Sequence, residues 1–227
     1  MADAVNPKRR YDSPRRREQA ETTRRAILQA AQRLFSEQGY AATTMAQVAS
    51  AADVSLKTVY LAFESKAGVL RALWHLQLRG DQDDAPVAQR SWYQEVLDEA
   101  DPAVKLSLNA RNGRAVKERA GALLGVIRNA AIVDPDISEL WKRISTDFHD
   151  NQRAIVTSLE AQGALRPGLG VDQAADILWA LNHPDLWHLL VGERRWTPEA
   201  WERWFCEASC RELLAERSSA RDDSVSA

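Results

Sequence analysis

The sequence predicts an all-α protein, and three observations predict it. Apolar residues recur at three- and four-residue spacings in one segment after another. No segment alternates convincingly at period two, the mark of a half-buried strand. Helix-start signals stand just before the apolar stripes: Thr44 with Gln47 three residues on, and the pairs Asp101-Pro102, Asp134-Pro135 and Thr197-Pro198.

Residues 1–17 are nearly free of apolar side chains. They carry the clusters Lys8-Arg9-Arg10 and Arg15-Arg16-Arg17 beside Pro7 and Pro14, the composition of a disordered basic arm. From Glu18 to Gln38, Ile27, Ala30, Ala31, Leu34 and Phe35 form one helical stripe, and Gly39 stands where a left-handed cap would end it. Thr44 and Gln47 make a capping box that opens a second helix, with Val48, Ala49 and Ala52 inward. Ala52-Asp53-Val54-Ser55 reads as a tight turn, and Ser55 caps a short third helix, about Leu56–Leu61. Two short helices joined by about three residues make a helix-turn-helix. A fourth helix, Lys66 to Arg79, places Val69, Leu70, Leu73 and Trp74 on one face.

Gly80–Gln89 is polar and acidic and reads as a loop. A long stripe then runs Leu106, Asn109, Gly113, Val116, Ala120, Leu123, Ile127 and Ala130. The next helix turns Ile137, Leu140, Trp141, Ile144, Phe148, Ile155 and Leu159 inward, and Gly163 with Arg166-Pro167-Gly168 closes it. A helix over about 171–190 should break at His183-Pro184. The last, from Pro198, shows Trp201, Trp204, Phe205 and Ala208. Residues 217–227 read as a disordered tail. The domain division expected is an arm at 1–17, a helix-turn-helix domain at 18–65, and a larger helical domain at 66–216 whose first helix, 66–79, connects the two.

At 227 residues, 45% apolar and 27% charged, the chain has the composition of an ordinary globular protein. No apolar run nears the roughly 20 residues of a membrane-spanning helix. The basic N-terminus is not followed by the apolar segment of a secretory signal, so the expected compartment is the cytoplasm, with no membrane partner. The net charge of −2 hides an asymmetry: residues 1–80 hold 13 Lys/Arg against 7 Asp/Glu, and the rest hold 17 against 25. A basic head on an acidic body suggests a polyanion-binding head. Cys206 and Cys210, four apart on a helix, lack the partners of a metal site and read as packing residues. The body shows no Gly-rich phosphate loop, metal-spaced His/Cys cluster or nucleophile-base pair. An enzyme is therefore not expected, nor a catalytic residue, metal or cofactor.

Residues 43–74, TTMAQVASAADVSLKTVYLAFESKAGVLRALW, resemble the DNA-binding signature of the TetR family of transcriptional regulators. The resemblance lies in the order of a threonine-capped helix, A-x-x-A-x-V-S, T-V-Y and x-F-x-S-K. With the first helix it covers about residues 20–74. It implies an N-terminal three-helix DNA-binding domain followed by a larger regulatory and dimerisation domain. It also implies a homodimer on double-stranded operator DNA, acting as a repressor released by a small-molecule effector.

By resemblance, Thr58 and Tyr60 hydrogen-bond phosphates and Lys57 meets phosphate or a base edge. Thr44 and Lys66 pin the flanking backbone, and Ser55 adds a hydroxyl. Two positions depart from the family pattern. Asp53 stands where glycine is common, and Ala67-Gly68 follows Lys66 where an acidic residue is usual, with Gly68 expected to weaken that first turn.

In the body, Asn109, Gly113 and Asn151 interrupt the apolar stripes, as polar or empty positions around a pocket would. Trp141, Phe148 and Trp179 would wall it, and His149, Asn182 or His183 would supply polar contacts, which suits an uncharged or aromatic effector. The dimer seam expected from the last two helices uses Trp179, Leu186, Leu189, Trp201, Trp204 and Phe205.

Overall fold

The computed structural model describes residues 14–79 and 87–215, and they are helical almost throughout. The helices are α1 (Pro14–Ala42), α2 (Met45–Ala51), α3 (Leu56–Phe63), α4 (Lys66–Arg79), α5 (Ser91–Asp98), α6 (Pro102–Ala130), α7 (Pro135–Ala161), α8 (Val171–Leu181), α9 (Pro184–Trp187) and α10 (Pro198–Leu213). The chain divides into two compact units between Leu73 and Trp74, within α4.

Arg15–Arg17, expected in a disordered arm, are the exposed first turn of α1. They extend a helix whose inner stripe begins at Ile27. The cluster at 8–10 and the tail at 217–227 lie outside the described residues. Gly39 does interrupt α1, with φ 80° and ψ 166°. The chain then makes one further turn to Ala42, which tucks the Tyr40 ring into the core 5.5 Å from that of Phe35.

Each predicted start signal is realised as a hydrogen bond. Thr44 Oγ1 accepts from Gln47 N at 3.2 Å and Gln47 Oε1 accepts from Thr44 N at 2.8 Å, the reciprocal box. Asp101, Asp134 and Thr197 each accept from main-chain N–H groups of the turn they open, with proline in that turn. The helix expected over about 171–190 breaks where proline demands, at Asn182-His183. It then resumes as α9 and widens to an i→i+5 winding over His188–Glu193. Of the loop expected at 80–89, residues 87–89 form one tight helical turn. Helix α5 over 91–98 is not predicted by the sequence, because eight residues with two buried side chains, Tyr93 and Val96, make too short a stripe to read.

In the second unit α7 packs on α8, α10 on α6 and on α8, and α5 on α6. Their shared core includes Tyr93, Leu106, Ile155, Leu159, Leu178, Trp201 and Phe205. The glycine turns at Gly163 and Gly168, both with positive φ, bring Leu165 beside Leu214, where Arg166 N donates to Leu213 O at 2.8 Å.

Candidate functional site

In the first unit, α2 and α3 are joined by the turn Ala52–Ser55. Asp53 takes the left-handed conformation there, φ 53°, so the carboxylate residue fills the place glycine holds elsewhere. Val54 N reaches back to Ala49 O at 3.0 Å and closes α2. Ser55 Oγ then accepts from Thr58 N at 3.1 Å and starts α3. The helix runs two residues beyond the predicted Leu61. It ends only after Phe63 has entered the core, at Glu64 with φ 64°. Arg24 lies over the Phe63 ring at 4.2 Å and donates to Ala62 O at 2.9 Å, so the end of α3 is held by α1.

With Val59 and Phe63 buried, the opposite face of α3 is open. Ser55, Lys57 and Tyr60 are exposed there, Tyr60 by 47%, and Thr58 is half-buried with its hydroxyl 2.8 Å from that of Ser55. Thr44 is exposed at the start of α2. Five of the six expected DNA-contacting residues therefore reach the surface of a helix-turn-helix. Lys66 is the exception. Its Nζ donates to Tyr40 O at 2.8 Å and Thr43 O at 3.0 Å and sits 4.2 Å over the Tyr40 ring. It clamps the α1–α2 joint, where Tyr40 O also accepts from Thr43 N at 3.2 Å.

Gly68 also has a role the sequence hid. A Cβ there would stand 2.0 Å from the Phe63 carbonyl oxygen, so the absent side chain is what lets α4 start against the end of α3.

The second unit contains a cavity of about 660 Å³. Seven of the nine residues expected around a pocket line it, namely Asn109, Gly113, Trp141, Phe148, Asn151, Asn182 and His183, while His149 does not. Nor does Trp179. Its ring packs 4.9 Å from that of His183 and 6.1 Å from that of His149, one layer behind the wall, with its indole N–H buried and unpartnered. Trp141, Ile144 and Phe148, expected on the inner stripe of α7, are half-buried because their inner side faces this space.

Sequence reasoning missed what joins the polar residues. Gln152 Oε1 accepts from Asn109 Nδ2 at 3.1 Å and from Asn182 Nδ2 at 3.4 Å. Asn182 Oδ1 in turn accepts from Lys117 Nζ at 2.5 Å. All four side chains are buried, and they tie α6, α7 and the α8–α9 break together. A Cβ on Gly113 would lie 2.9 Å from Asn182 Oδ1, so that glycine makes room for the amide. Burial pulls the Lys117 ammonium down to about 7. Burial likewise lowers His183, against the pull of Asp185. Its Nδ1 accepts from Asp185 N at 3.2 Å, which caps α9. A lysine on an inner stripe reads as a surface cation whose stem snorkels outward, and only the surrounding helices show otherwise. Lys105, also buried, is structural: its Nζ donates to Leu97 O at 2.9 Å and to Ser158 Oγ.

Of the expected dimer seam, Trp201 and Phe205 are fully buried in the unit's own core, with rings stacked 5.1 Å apart. They complete one chain and are not surface. Leu189 is exposed, and Leu186, Trp204 and Trp179 are half-buried.

A helix-turn-helix with a polar outer face, followed in the chain by a helical unit enclosing a cavity, defines a class: DNA-binding transcriptional regulators. Residues 27–73 match the family model of bacterial regulatory proteins, tetR family. The helix-turn-helix of this chain is thus similar to the DNA-binding part of that family.

The probable HTH-type transcriptional regulator ArpR of Pseudomonas putida is 28% identical over 169 residues, spanning 73% of this chain and 79% of that one. The HTH-type transcriptional regulator TtgR, also of Pseudomonas putida, is 28% identical over 172 residues, with the same coverage. Among solved structures the fold is shared with NalD, the secondary repressor of the MexAB-OprM multidrug efflux pump in Pseudomonas aeruginosa. There the TM-score is 0.70 at 24% identity, covering 88% of this chain and 99% of that one. The SmeT–triclosan complex also matches, with TM-score 0.64 at 19% identity, covering 86% and 93%.

Proposed function

We propose that this regulator is a dimeric repressor released from its operator by a small molecule bound in the cavity of the helical body. The observation that carries the reading is the cavity itself, where aromatic and aliphatic side chains stand beside converging polar ones such as Asn109, Gln152 and Asn182. The relatives support it, since one structural neighbour is a repressor and another was solved with triclosan. The DNA face is Thr44, Ser55, Lys57, Thr58 and Tyr60, where hydroxyls and one cation meet phosphates and base edges. Lys66 holds the joint that presents them. The dimer seam is the remaining apolar surface at Leu186, Leu189 and Trp204. Effector binding favours a dimer whose α3 helices no longer match successive major grooves.

Footprinting on DNA flanking the protein's own gene, backed by selection from a random library, tests the DNA reading. A two-fold symmetric footprint is expected, and contact with about 6–10 phosphates should weaken it a thousandfold or more between roughly 50 and 200 mM salt. Tyr60→Phe should weaken it at all sequences alike. Absence of any selected site would sink the reading.

A further inference from the structure

We infer that the effector is an aromatic acid whose anionic group pairs with Lys117; this rests on the ligand-responsive reading above and names the ligand class for the same cavity. Lys117 lines the cavity and is only 5% exposed, so a charge there is poorly solvated. Its Nζ has one hydrogen-bond partner among the described residues, the neutral Asn182 Oδ1, which leaves two donors unused. Its other neighbours are aromatic faces, Trp201 at 4.5 Å and Phe148 at 6.0 Å, and Phe148 also lines the cavity.

The carboxylates on the surrounding helices are engaged elsewhere or wet. Asp185 of α9 pairs with Arg128, and Glu199 and Glu202 of α10 pair with Arg114. Asp147 and Asp150 of α7 line the cavity but are exposed, where water screens them. No carboxylate among the described residues lies within ion-pair distance of Lys117. A buried lysine without a counter-charge is costly, and proteins supply a partner or neutralise it. Here the partner's place is open towards a cavity walled by Trp141 and Phe148, so a ring system carrying a carboxylate or acidic phenol completes the site. His183, lined up on the same wall, has its Nδ1 occupied by Asp185 N, which leaves Nε2 to carry the proton in the neutral ring.

The burial that lowers Lys117 gives the test a signature independent of affinity. At pH 8 the free protein holds Lys117 mostly neutral, and a carboxylate arrives already ionised. Formation of the pair then draws a proton from solvent onto Nζ.

The experiment uses the full-length protein with naphthoate and biphenylcarboxylate, each beside its carboxamide, followed by calorimetry in buffers of different ionisation enthalpy and by operator release. The acids should bind at least about tenfold tighter than the amides and take up close to one proton each at pH 8. Lys117→Met, checked for an intact fold by its melting curve, should abolish both the preference and the uptake. Amides that bind and release operator as well as the acids overturn the assignment while leaving the effector role of the cavity standing. Acids that bind with proton uptake but never release operator uphold the Lys117 pairing and overturn the release reading. Binding by no acid, or an acid preference that survives Lys117→Met, overturns the inference.

Discussion

Two lysine–glycine pairs, Lys66 with Gly68 in one unit and Lys117 with Gly113 in the other, are held in contrasting ways. In the DNA-binding unit, Lys66 holds two main-chain carbonyls, and Gly68 yields to a third, that of Phe63. In the helical body, Lys117 and Gly113 both meet the same side chain, Asn182. Backbone is a fixed obstacle and a fixed partner, because moving it means moving a helix. A side-chain amide swings on two torsions, so a site built from it can rearrange around a ligand. The head joint is thus fixed by main chain, and the cavity wall by a side chain that can turn. All eight tryptophans lie at position 74 or beyond, so tryptophan emission follows the body alone, while far-UV circular dichroism follows both units.

The largest effect expected on this contrast is in the head. Gly68→Ala puts a methyl group 2.0 Å from the Phe63 carbonyl oxygen and must part α3 from α4. It should destabilise that unit by about 3 kcal/mol or more, well beyond the roughly 1 kcal/mol that alanine gains over glycine in a helix. The loss should appear in circular dichroism melts and operator affinity, with tryptophan emission little changed. A variant as stable as the parent would refute the close approach.

Next come two matched substitutions of opposite sign. Lys66→Met takes a donor from both carbonyls, of which Tyr40 O keeps Thr43 N, and should cost the head about 2 kcal/mol. Lys117→Met removes a buried, uncompensated charge and should stabilise the body, on the order of 3 kcal/mol at pH 6. The Lys117 value is depressed in the folded protein, to about 7 from the usual 10.5. Between those values the unfolded chain therefore binds the extra proton. Parent stability rises with pH across that window, and the advantage of the methionine variant should fade towards pH 10. Chemical unfolding read by tryptophan emission at a series of pH values checks both the sign and the window. A pH-independent difference would mean that Lys117 is not titrating there.

The smallest effect is that of Gly113→Ala. Its new methyl would press on Asn182 at 2.9 Å, but the amide can yield by a few tenths of an ångström, and helix propensity offsets part of the strain. A net loss of about 1 kcal/mol or less is expected in the tryptophan melt, with weaker acid binding because Asn182 no longer steadies Lys117. A loss as large as that of Gly68→Ala would erase the distinction between the units.

The helix-turn-helix was legible because its determinants are local. Caps, the Asp53 turn and the Val48, Val59 and Phe63 stripe lie within a few residues of what they position, so spacing leaves Ser55, Lys57 and Tyr60 on the outer face, while their part in DNA contact came from the family resemblance. The cavity was half legible: interruptions at Asn109, Gly113 and Asn151 flagged it, because a polar or missing side chain on an apolar stripe is itself a local sign. Lys66, Trp201, Phe205 and Lys117 were not legible. Whether a cation is solvated, clamped or stranded depends on which atoms arrive from distant segments, and whether a tryptophan is core or surface depends on what covers it. For Lys117 those atoms come from Asn182, 65 residues away, and from the Trp201 ring. The sequence by itself determined the helix-turn-helix, the helix caps and the polar outer face of α3, since each follows from the chemistry of neighbouring residues. Only the tertiary structure decided which polar groups are buried together, because desolvation and partner choice are properties of packed helices and not of any one of them.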